Sequence, residues 1–214
     1  MDFIKYEKKY WDEGFKNIVG IDEAGRGPLA GPVVAASVVL KPYEIIEGIK
    51  DSKKLTPKKR DKLYSEIYDK AISVGVGIVN EDVIDDINIL KATFLGMKKS
   101  LGNLDIKPDK VLIDGPYSNI TIYPTDYIVN GDNISQTIAA ASIIAKVTRD
   151  NIMKNYDKIF PEYKFINHKG YGTKHHIEQL EINKSTPIHR RSFKIVKNNM
   201  PNYEFYLNKE NGFK

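Results

Sequence analysis

The sequence predicts an α/β fold with a mixed sheet flanked by helices, and three observations lead to it. Two short apolar, β-branched runs at residues 17–22 and 32–40 are flanked by Gly and Pro, which favours two strands joined by a turn. A third strand-like run lies at 71–79, after a helical stretch. From residue 80 onward, helical and strand-like segments alternate, an order typical of α/β proteins.

The first half of the predicted sheet is a hairpin followed by a helix and a third strand. The turn G-R-G-P-L-A-G at 25–31 joins the first two strands. The helix begins at Thr56 and Pro57, because Thr can cap a helix and Pro fits its first turn. After the third strand, a helical stretch is expected from Asn80 to about Gly102, where apolar residues recur at helical spacing.

Two shorter strands, at 110–114 and 127–129, and a long helix complete the predicted core. Small residues predominate from Ile134 to Asp150, which predicts a helix packed closely on the sheet. The remainder is expected to be mostly helical, with loops at 167–172 and 185–187. We expect one domain over residues 1–214, with 1–16 as a helical lead-in and about 151–214 as a basic, mostly helical C-terminal segment.

The composition limits both the chemistry and the partners. The chain has no cysteine, so a metal must be held by carboxylate or imidazole groups. Residues 145–214 contain 14 Lys and Arg against 7 Asp and Glu, which favours a polyanionic partner, with a solvated charged surface as the alternative. Because residues 1–16 lack a signal-peptide core and no apolar run of 18 residues occurs, we expect a cytoplasmic protein without membrane contact.

Four carboxylates lie where predicted strands end or a helix begins: Asp22, Glu23, Asp114 and Asp132. Taken singly, each is explained by a turn or a helix cap. Together they predict one site, because α/β sheets bind ligands at strand ends and clustered carboxylates require cations such as Mg²⁺ or Mn²⁺. Two such ions about 3.5–4 Å apart suit phosphodiester hydrolysis.

The glycine-rich turn after Asp22 and Glu23 does not match the sequence pattern of a nucleotide-binding loop. Its glycines are spaced one residue too far apart for the dinucleotide pattern, and Pro28 lacks an N–H that a phosphate cradle would use. Gly25 and Gly27 instead allow the backbone to approach a ligand closely, and Arg26 can contact a phosphate. Backbone groups exposed in this way can bind a ribose 2′-hydroxyl, the group that distinguishes RNA from DNA.

Seven motifs, in order along the chain, resemble those of bacterial ribonuclease HII, a type 2 ribonuclease H family. They are D-E-A-G-R-G-P-L-A-G-P at 22–32, D-S-K-K-L at 51–55, I-N-I-L-K-A-T at 87–93, V-L-I-D-G at 111–115, A-A-S-I-I-A-K-V-T-R-D at 140–150, H-K-G-Y-G-T at 168–173 and T-P-I-H-R-R-S-F at 186–193. The resemblance implies a ribonuclease H-like fold and a metal-dependent endonuclease. The implied substrates are the RNA strand of RNA–DNA hybrids and duplex DNA containing single ribonucleotides, cut 5′ to the ribonucleotide to leave 3′-hydroxyl and 5′-phosphate ends.

The resemblance also implies roles for individual residues. The metal carboxylates correspond to Asp22, Glu23, Asp114 and Asp132, the Gly-Arg-Gly motif to Gly25, Arg26 and Gly27, and the ribonucleotide-sensing tyrosine to Tyr171. Within the motifs, further candidates for phosphate contact are Lys53, Lys54, Ser142, Lys146 and Lys169. One departure is Asn130, where many relatives have Lys, and it leaves Asp132 the least secure ligand. Asp150 is expected to pair with Lys146 or Arg149 rather than to bind metal.

Three alternatives stay open on the sequence. Ribonuclease HIII shares the carboxylate chemistry but has an extra N-terminal domain, and only 21 residues precede Asp22 here. A resolvase or transposase nuclease would share the fold but lack the Gly-Arg-Gly turn. A non-catalytic nucleic-acid-binding module is disfavoured, because clustered carboxylates oppose DNA binding in the absence of metal. We expect a monomer.

Overall fold

Five strands form one mixed sheet in the computed structural model, which describes residues 3–49, 55–117 and 119–202. The strands are β1 (Ile18–Ala24), β2 (Val33–Leu40), β3 (Ala71–Val79), β4 (Lys110–Asp114) and β5 (Thr125–Ile128). Their order across the sheet is β3-β2-β1-β4-β5. Neighbours on the β3 side of β1 are antiparallel, whereas β1, β4 and β5 run parallel. The predicted hairpin and the predicted mixed five-stranded sheet are both confirmed.

Helices cover the sheet and make up most of the remaining described chain. They are α1 (Lys5–Asp12), α2 (Pro57–Lys70), α3 (Glu81–Ile87), α4 (Ile89–Gly102), α5 (Gln136–Ile159), α6 (Phe165–His168), α7 (Lys174–Asn183) and α8 (Lys194–Lys197). As predicted, the Thr56 side chain caps α2 by accepting a hydrogen bond from the Lys59 amide. Ser135 caps the long helix α5 in the same way.

The sheet is packed between α5 on one face and α4 on the other, and alternate residues of β2 face the two layers. Val34 and Ala36 pack with the α5 side, while Ala35 and Val39 pack with Met97 of α4. The approach of α5 is close: a Cβ built on Gly20 of β1 would lie 2.1 Å from the Thr137 carbonyl carbon. Glycine at this position therefore allows α5 to lie against the central strand.

The single helical stretch predicted from Asn80 to about Gly102 is wrong, because Asn88 divides it into α3 and α4. Asn88 has φ +68°, outside the helical region, and its side chain accepts hydrogen bonds from the amides of Leu90 and Lys91. A side chain that bonds the backbone locally competes with helix continuation and caps the next helix instead. The apolar periodicity was unbroken across this residue, so the pattern alone did not reveal the division.

Other boundaries differ from the predictions by a few residues. The strand predicted at 127–129 runs over Thr125–Ile128, and α5 continues past Asp150 to Ile159. The loop predicted at 167–172 begins inside α6, which ends at His168. These shifts leave the order of the elements unchanged.

The lead-in predicted at 1–16 contains α1, which is attached to the start of α5 by one buried carboxylate. Glu7 Oε1 accepts hydrogen bonds from Ser135 Oγ at 2.6 Å and from the Thr137 amide at 2.9 Å. A carboxylate at a helix N-terminus binds amides that have no partner within the helix. Glu7 thereby fixes the beginning of the helix that borders the site described below.

The C-terminal segment predicted at about 151–214 contains the end of α5 and the short helices α6, α7 and α8, while residues 203–214 lie outside the described ranges. Its core includes Tyr163, Phe165, Leu180 and Val196, which also contact Leu29 and Ala30 of the turn between β1 and β2. The described helices include none with the length and apolar character that a bilayer crossing requires.

Candidate active site

Three aspartates meet at the edge of the sheet where β1 and β4 end. Asp22 lies near the end of β1, Asp114 is the last residue of β4, and Asp132 lies in a turn after β5. Because β1 and β4 are parallel neighbours, their carboxyl ends lie side by side. One carboxylate oxygen from each aspartate lies within 4.8 Å of the others. The structure therefore brings together three of the four predicted carboxylates as a set of candidate metal ligands.

Backbone geometry explains how Asp132 joins this cluster. Asn130 adopts the left-handed conformation with φ +55°, which Asn tolerates better than most residues, and it starts the short 3-10 turn Gly131–Asn133. The Gly131 amide donates to Asp114 Oδ1 at 2.6 Å, and Asn133 Nδ2 donates to Asp132 Oδ1 at 2.8 Å. Asp132 is 4% exposed and is held against Asp114. The exposed Asn130 thus serves the local backbone geometry of the cluster.

Glu23 lies beside the three aspartates, with one oxygen engaged and the other available. Its Oε1 accepts hydrogen bonds from the Tyr117 hydroxyl at 3.3 Å and from Arg26 at 3.5 Å. Its Oε2 is buried and has no hydrogen-bond partner among the described residues. A buried carboxylate oxygen without a partner is costly, and a bound cation would remove that cost.

The electrostatics of the cluster show the cost of gathering these acids. Burial raises the pKa of Asp22 well above its usual value, and the charges of Glu23 and Asp114 raise it further. The Ser142 hydroxyl and the Glu23 amide, at 2.7 Å, act in the opposite direction by hydrogen-bonding the carboxylate. Burial also raises the pKa of Glu23, against the opposing effect of Arg26.

The donor set fits a hard divalent cation. The candidate ligands are carboxylate oxygens only, they are largely buried, and they include the unpartnered Glu23 Oε2. Mg²⁺ and Mn²⁺ prefer oxygen ligands, whereas metals that prefer thiolates have no cysteine here to bind. The geometry therefore agrees with the predicted cofactor class.

The turn after β1 depends on glycine at its first position. Gly25 has φ +100°, a conformation that side chains rarely adopt, and a Cβ there would lie 2.1 Å from Arg149 Nε. Arg149 comes from α5 and donates to the carbonyls of Ala30 and Pro32 in the turn. Glycine thus gives the guanidinium room to reach the carbonyls behind the turn.

A second buried guanidinium, that of Arg190, holds the same turn from the C-terminal segment. It donates to the carbonyls of Gly25, Arg26 and Gly31. Both Arg149 and Arg190 are fully buried. Sequence reasoning missed both as determinants of the site. The sequence contains a weak indication that Arg149 lies near the site, since it follows Ser142 by seven residues and is therefore on the same face of α5. It contains no such indication for Arg190.

Arg26 lies on the outer side of the turn. Its side chain is 44% exposed, and its guanidinium lies 5.7 Å from the centre of the Tyr117 ring, which also hydrogen-bonds Glu23. Tyr117, also missed in the sequence, follows Asp114 by three residues on the loop after β4. The exposed guanidinium is therefore oriented by a tyrosine and a carboxylate of the site itself.

Tyr171 lies opposite the turn, across a pocket of about 270 Å³. Its side chain is 46% exposed, and a Cβ built on Gly27 would meet the tyrosine ring at 3.6 Å. The pocket is lined by Glu23, Ala24, Gly25, Arg26, Gly27, Ser142, Lys146, Arg149 and Tyr171. The structure thus brings the predicted Gly-Arg-Gly turn, Ser142, Lys146 and Tyr171 to one cavity beside the carboxylates.

Of the four lysines predicted to contact phosphate, two line cavities beside the site and two lie outside the described residues. Lys146 lines both this pocket and a neighbouring groove of about 490 Å³, which Lys169 also lines. Lys146 Nζ donates to Asp150 at 2.6 Å, so Asp150 pairs locally as expected, and burial lowers the pKa of Lys169. Lys53 and Lys54 lie outside the described residues.

Comparison with known proteins supports the pattern of motifs over most of the chain. A family model described as Ribonuclease HII matches residues 19–196. The chain belongs to the ribonuclease HII family. Ribonuclease HII of Acetivibrio thermocellus is 55% identical over 193 residues, covering 90% of this chain and 75% of that protein. Ribonuclease HII of Clostridioides difficile is 53% identical over 191 residues, covering 88% and 74%.

Membership of the ribonuclease HII family confirms the resemblance inferred from the seven motifs. It makes the chain a metal-dependent ribonuclease H, a hydrolase and endonuclease of RNA paired with DNA. The acidic cluster at the ends of β1 and β4 is the part of this structure that fits the metal dependence of the family.

Solved structures confirm the ribonuclease H-like fold. The ribonuclease H2 from Pyrococcus horikoshii OT3 has a TM-score of 0.75 and 30% identity, covering 86% of this chain and 96% of that chain. The RNase HII in the PCNA:RNase HII complex from Archaeoglobus fulgidus has a TM-score of 0.71 and 26% identity, covering 86% and 97%. Bst-RNase HIII in complex with Mn²⁺ is 16% identical at a TM-score of 0.66 and shares the fold alone, over 86% of this chain and 69% of that chain.

Proposed function

We propose that this protein hydrolyses the RNA strand of RNA–DNA hybrids and incises 5′ to single ribonucleotides in duplex DNA, leaving 3′-hydroxyl and 5′-phosphate ends. The observation that carries the proposal is the adjacency of the carboxylates to the glycine turn. Arg26 contacts Glu23, and the Gly27 backbone faces Tyr171 across one small pocket. The contacts support a proposed site for hydrolysis next to a proposed site for a ribose.

The four carboxylates are proposed to hold two divalent cations, Mg²⁺ or Mn²⁺. The mutual proximity of Asp22, Asp114 and Asp132 and the unpartnered Oε2 of Glu23 support this assignment. Cations bound there would activate a water molecule and stabilise the departing 3′ oxygen. The protein itself orients the carboxylates, through the Gly131 amide on Asp114 and the Ser142 hydroxyl on Asp22.

Recognition of the ribonucleotide is assigned to Gly25, Arg26, Gly27 and Tyr171. The turn brings backbone groups close enough to bind a 2′-hydroxyl, and an exposed aromatic ring can stack on a sugar or base. Arg26, already directed by Tyr117 and Glu23, is placed to contact the adjacent phosphate. A deoxyribose would leave the polar groups of this pocket without the hydroxyl partner.

Phosphate contacts along the strand are assigned to Ser142, Lys146 and Lys169, and also to Lys53 and Lys54. Support for Lys146 comes from its position between the pocket of the turn and the neighbouring groove, where Arg60 and Lys154 add positive charge. Asp61 and Asp150 also line this groove, and four cations against two carboxylates leave it a net positive charge that would attract a nucleic-acid backbone independently of sequence. We further propose that the substrates are RNA–DNA hybrids and ribonucleotide-containing duplexes, and that a monomer binds them in the cytoplasm.

The proposal is tested on a labelled duplex that contains one ribonucleotide. With Mg²⁺ or Mn²⁺ present we expect one cut, 5′ to the ribonucleotide, with 3′-hydroxyl and 5′-phosphate ends. The same duplex made entirely of DNA, and a four-way DNA junction, should stay intact. Cleavage of the all-DNA junction would instead favour the resolvase class, and chelator-insensitive binding without cleavage would favour a non-catalytic module.

Single substitutions separate the two assigned roles. Asp114→Asn should abolish cleavage while most of the binding of the duplex is retained, because Asp114 does not line the pocket of the turn or the neighbouring groove. Tyr171→Ala should reduce the preference for a ribonucleotide junction far more than it weakens DNA binding. Tyr68→Ala, which changes a similarly exposed tyrosine on α2, is the matched control. Full turnover in the Asp114 variant would refute the ligand assignment.

A further inference from the structure

All four histidines of the chain lie in the C-terminal segment, and the rings of three of them, two buried and one partly buried, form one cluster. His168, His176 and His189 pack against the rings of Tyr163 and Phe165. His176 and His189 are 0% and 1% exposed, so neither can touch a nucleic acid. The hydrolysis proposed above uses none of these imidazoles, which leaves their polar contacts to be explained.

The hydrogen bonds of His189 fix its tautomer. The Thr186 backbone amide, which can only donate, lies 3.0 Å from His189 Nδ1, so this nitrogen must accept. The proton of a neutral His189 is therefore on Nε2. That nitrogen lies 3.0 Å from His176 Nε2, which must then be the acceptor.

The same donor-to-acceptor order of hydrogen bonds continues through His176 to the loop that contains Tyr171. With its Nε2 accepting, a neutral His176 has its proton on Nδ1, which lies 2.9 Å from the Tyr171 carbonyl oxygen. The resulting chain runs from the Thr186 amide to His189, then to His176, then to the Tyr171 carbonyl. Every donor in this chain meets an acceptor.

Burial keeps both imidazoles neutral, as this arrangement requires. It lowers the pKa of His176 to about 4 and that of His189 to about 3. A proton on both Nε2 atoms would place two N–H groups against each other at 3.0 Å. One shared proton between them is the arrangement that satisfies both rings.

The backbone on both sides of Tyr171 is held, whereas its ring is half exposed. The Gly170 carbonyl accepts from the Leu29 amide at 2.8 Å, and the Gly170 amide donates to His168 Nδ1 at 3.3 Å. Arg149 donates to the Lys169 carbonyl at 3.0 Å. His176 donates the side-chain hydrogen bond to the Tyr171 carbonyl itself. Through His189, this bond connects the loop to Thr186 of the T-P-I-H-R-R-S-F motif.

We propose that His176 and His189 are positioning residues for Tyr171, and that their hydrogen-bond chain sets how strongly the enzyme prefers a ribonucleotide junction. The inference rests on the proposed sensing role of Tyr171. The Tyr171 carbonyl accepts from the Thr173 amide at 2.8 Å and from His176, and with both donors in place the direction in which the ring crosses the pocket toward Gly27 is fixed. A shift of the ring by about 1 Å is enough to disturb a contact that depends on alignment.

Two substitutions at His176 separate its two hydrogen bonds. In His176→Asn the side-chain amide takes the place of Nδ1 and retains the bond to the Tyr171 carbonyl. In His176→Gln the amide reaches the Nε2 position, which retains the contact with His189 but not that with Tyr171. The quantity measured is the ratio of kcat/KM on a single-ribonucleotide duplex to that on a continuous RNA–DNA hybrid, in which a general loss of folded enzyme cancels.

We expect the ratio to fall about tenfold in His176→Gln and by only about threefold in His176→Asn, which keeps the bond to the Tyr171 carbonyl but loses the bond to His189 that orients it. The matched control is His175→Asn on the same helix, since His175 Nε2 has no hydrogen-bond partner among the described residues. Equal ratios in the Gln and Asn variants would overturn the proposal. So would an unchanged ratio in His176→Gln alongside a lowered ratio in Tyr171→Ala, which leaves the sensing role of Tyr171 intact.

The tautomers provide a readout that does not depend on activity. Imidazole ¹⁵N chemical shifts of the full-length protein should show His189 protonated on Nε2 and His176 protonated on Nδ1 at pH 7.5. The opposite tautomer at either residue would overturn the chain. If instead the tautomers are as expected and Tyr171→Ala retains full junction preference, then the sensing role of Tyr171 is wrong, and the positioning proposal fails with it.

Discussion

Gly25 and Arg190 stand 165 positions apart in the chain, and the Arg190 guanidinium donates a hydrogen bond to the Gly25 carbonyl. The same guanidinium binds the carbonyls of Arg26 and Gly31, so one side chain holds both ends of the turn after β1. Burial lowers the pKa of Arg190 to about 9, which leaves it charged at neutral pH. The shape of the proposed ribose-binding turn therefore depends on the C-terminal segment.

Replacement of Arg190 by Lys should destabilise the protein and loosen the turn. A lysine has no planar fork, so buried carbonyls lose their donors, at a cost of about 2–4 kcal/mol in the free energy of unfolding. Urea unfolding measures the loss, and the junction-to-hybrid cleavage ratio measures the effect on recognition. The exposed neighbour Arg191, changed to Lys, is the control and should show neither effect. A stable Arg190→Lys protein with normal discrimination would contradict this role of the guanidinium.

Gly25→Ala should be destabilising for two reasons that act together. The position has φ +100°, and the new methyl group would collide with Arg149 Nε at 2.1 Å. We expect a loss of about 2 kcal/mol or more in the free energy of unfolding. Gly102→Ala, at the end of α4 with open space around it, should instead be neutral or slightly stabilising. Thermal unfolding of the two variants side by side checks the contrast, and equal stabilities would refute it.

Asp22→Asn should abolish cleavage and increase the stability of the metal-free protein. The raised pKa of Asp22, caused by burial and by Glu23 and Asp114, shows that its charge is unfavourable without a cation. Removal of that charge should add about 1–2 kcal/mol to the free energy of unfolding in EDTA. Mn²⁺ should raise the Tm of the wild-type protein but have little effect on the variant. A variant less stable than wild type in EDTA would contradict the prediction.

Acidification should weaken the fold through the histidine cluster. His176 and His189 have pKa values of about 4 and about 3, below the usual value near 6.5, so the unfolded chain takes up protons first as the pH falls. Their contribution to stability is complete above pH 6.5 and is lost as the pH falls toward 4. Between pH 8 and pH 5 we expect a loss of about 2 kcal/mol for one such histidine. Urea unfolding across this range should show a shallower dependence in His189→Gln than in His175→Asn, and identical slopes would refute the assignment.

The strand ends were predictable because their pattern is local. Asp22 and Asp114 each close a short apolar run, and parallel pairing of β1 with β4 brings them together. The position of Asp132 was harder to predict, because it depends on the left-handed conformation of Asn130. The sequence had indicated Asn130 only as a departure from the Lys that many relatives have. The resemblance to a family supplied the ligand set that the residues alone left open.

The features that sequence reasoning missed depend on contacts between distant segments. Arg149 and Arg190 bind backbone carbonyls, and a carbonyl has no signature in a sequence. The histidine chain likewise depends on how α7 and the segment after it fold onto Tyr163. Asn88 was missed for the opposite reason, because its effect is local but hidden in an unbroken apolar period.

The two buried guanidiniums place positive charge on one side of the candidate site, opposite the negative charge of the carboxylates. The acids lie at the ends of β1 and β4, whereas Arg149 and Arg190 bind carbonyls of the turn that follows β1, with the opposite charge of Glu81 acting on both. With this distribution of charge, we expect a phosphodiester to be attracted to the turn and to be repelled by the acids until cations neutralise them. Consequently, we expect the binding of cations to control when a nucleic-acid strand can bind. The fixed charges of the protein should then determine the orientation of that strand.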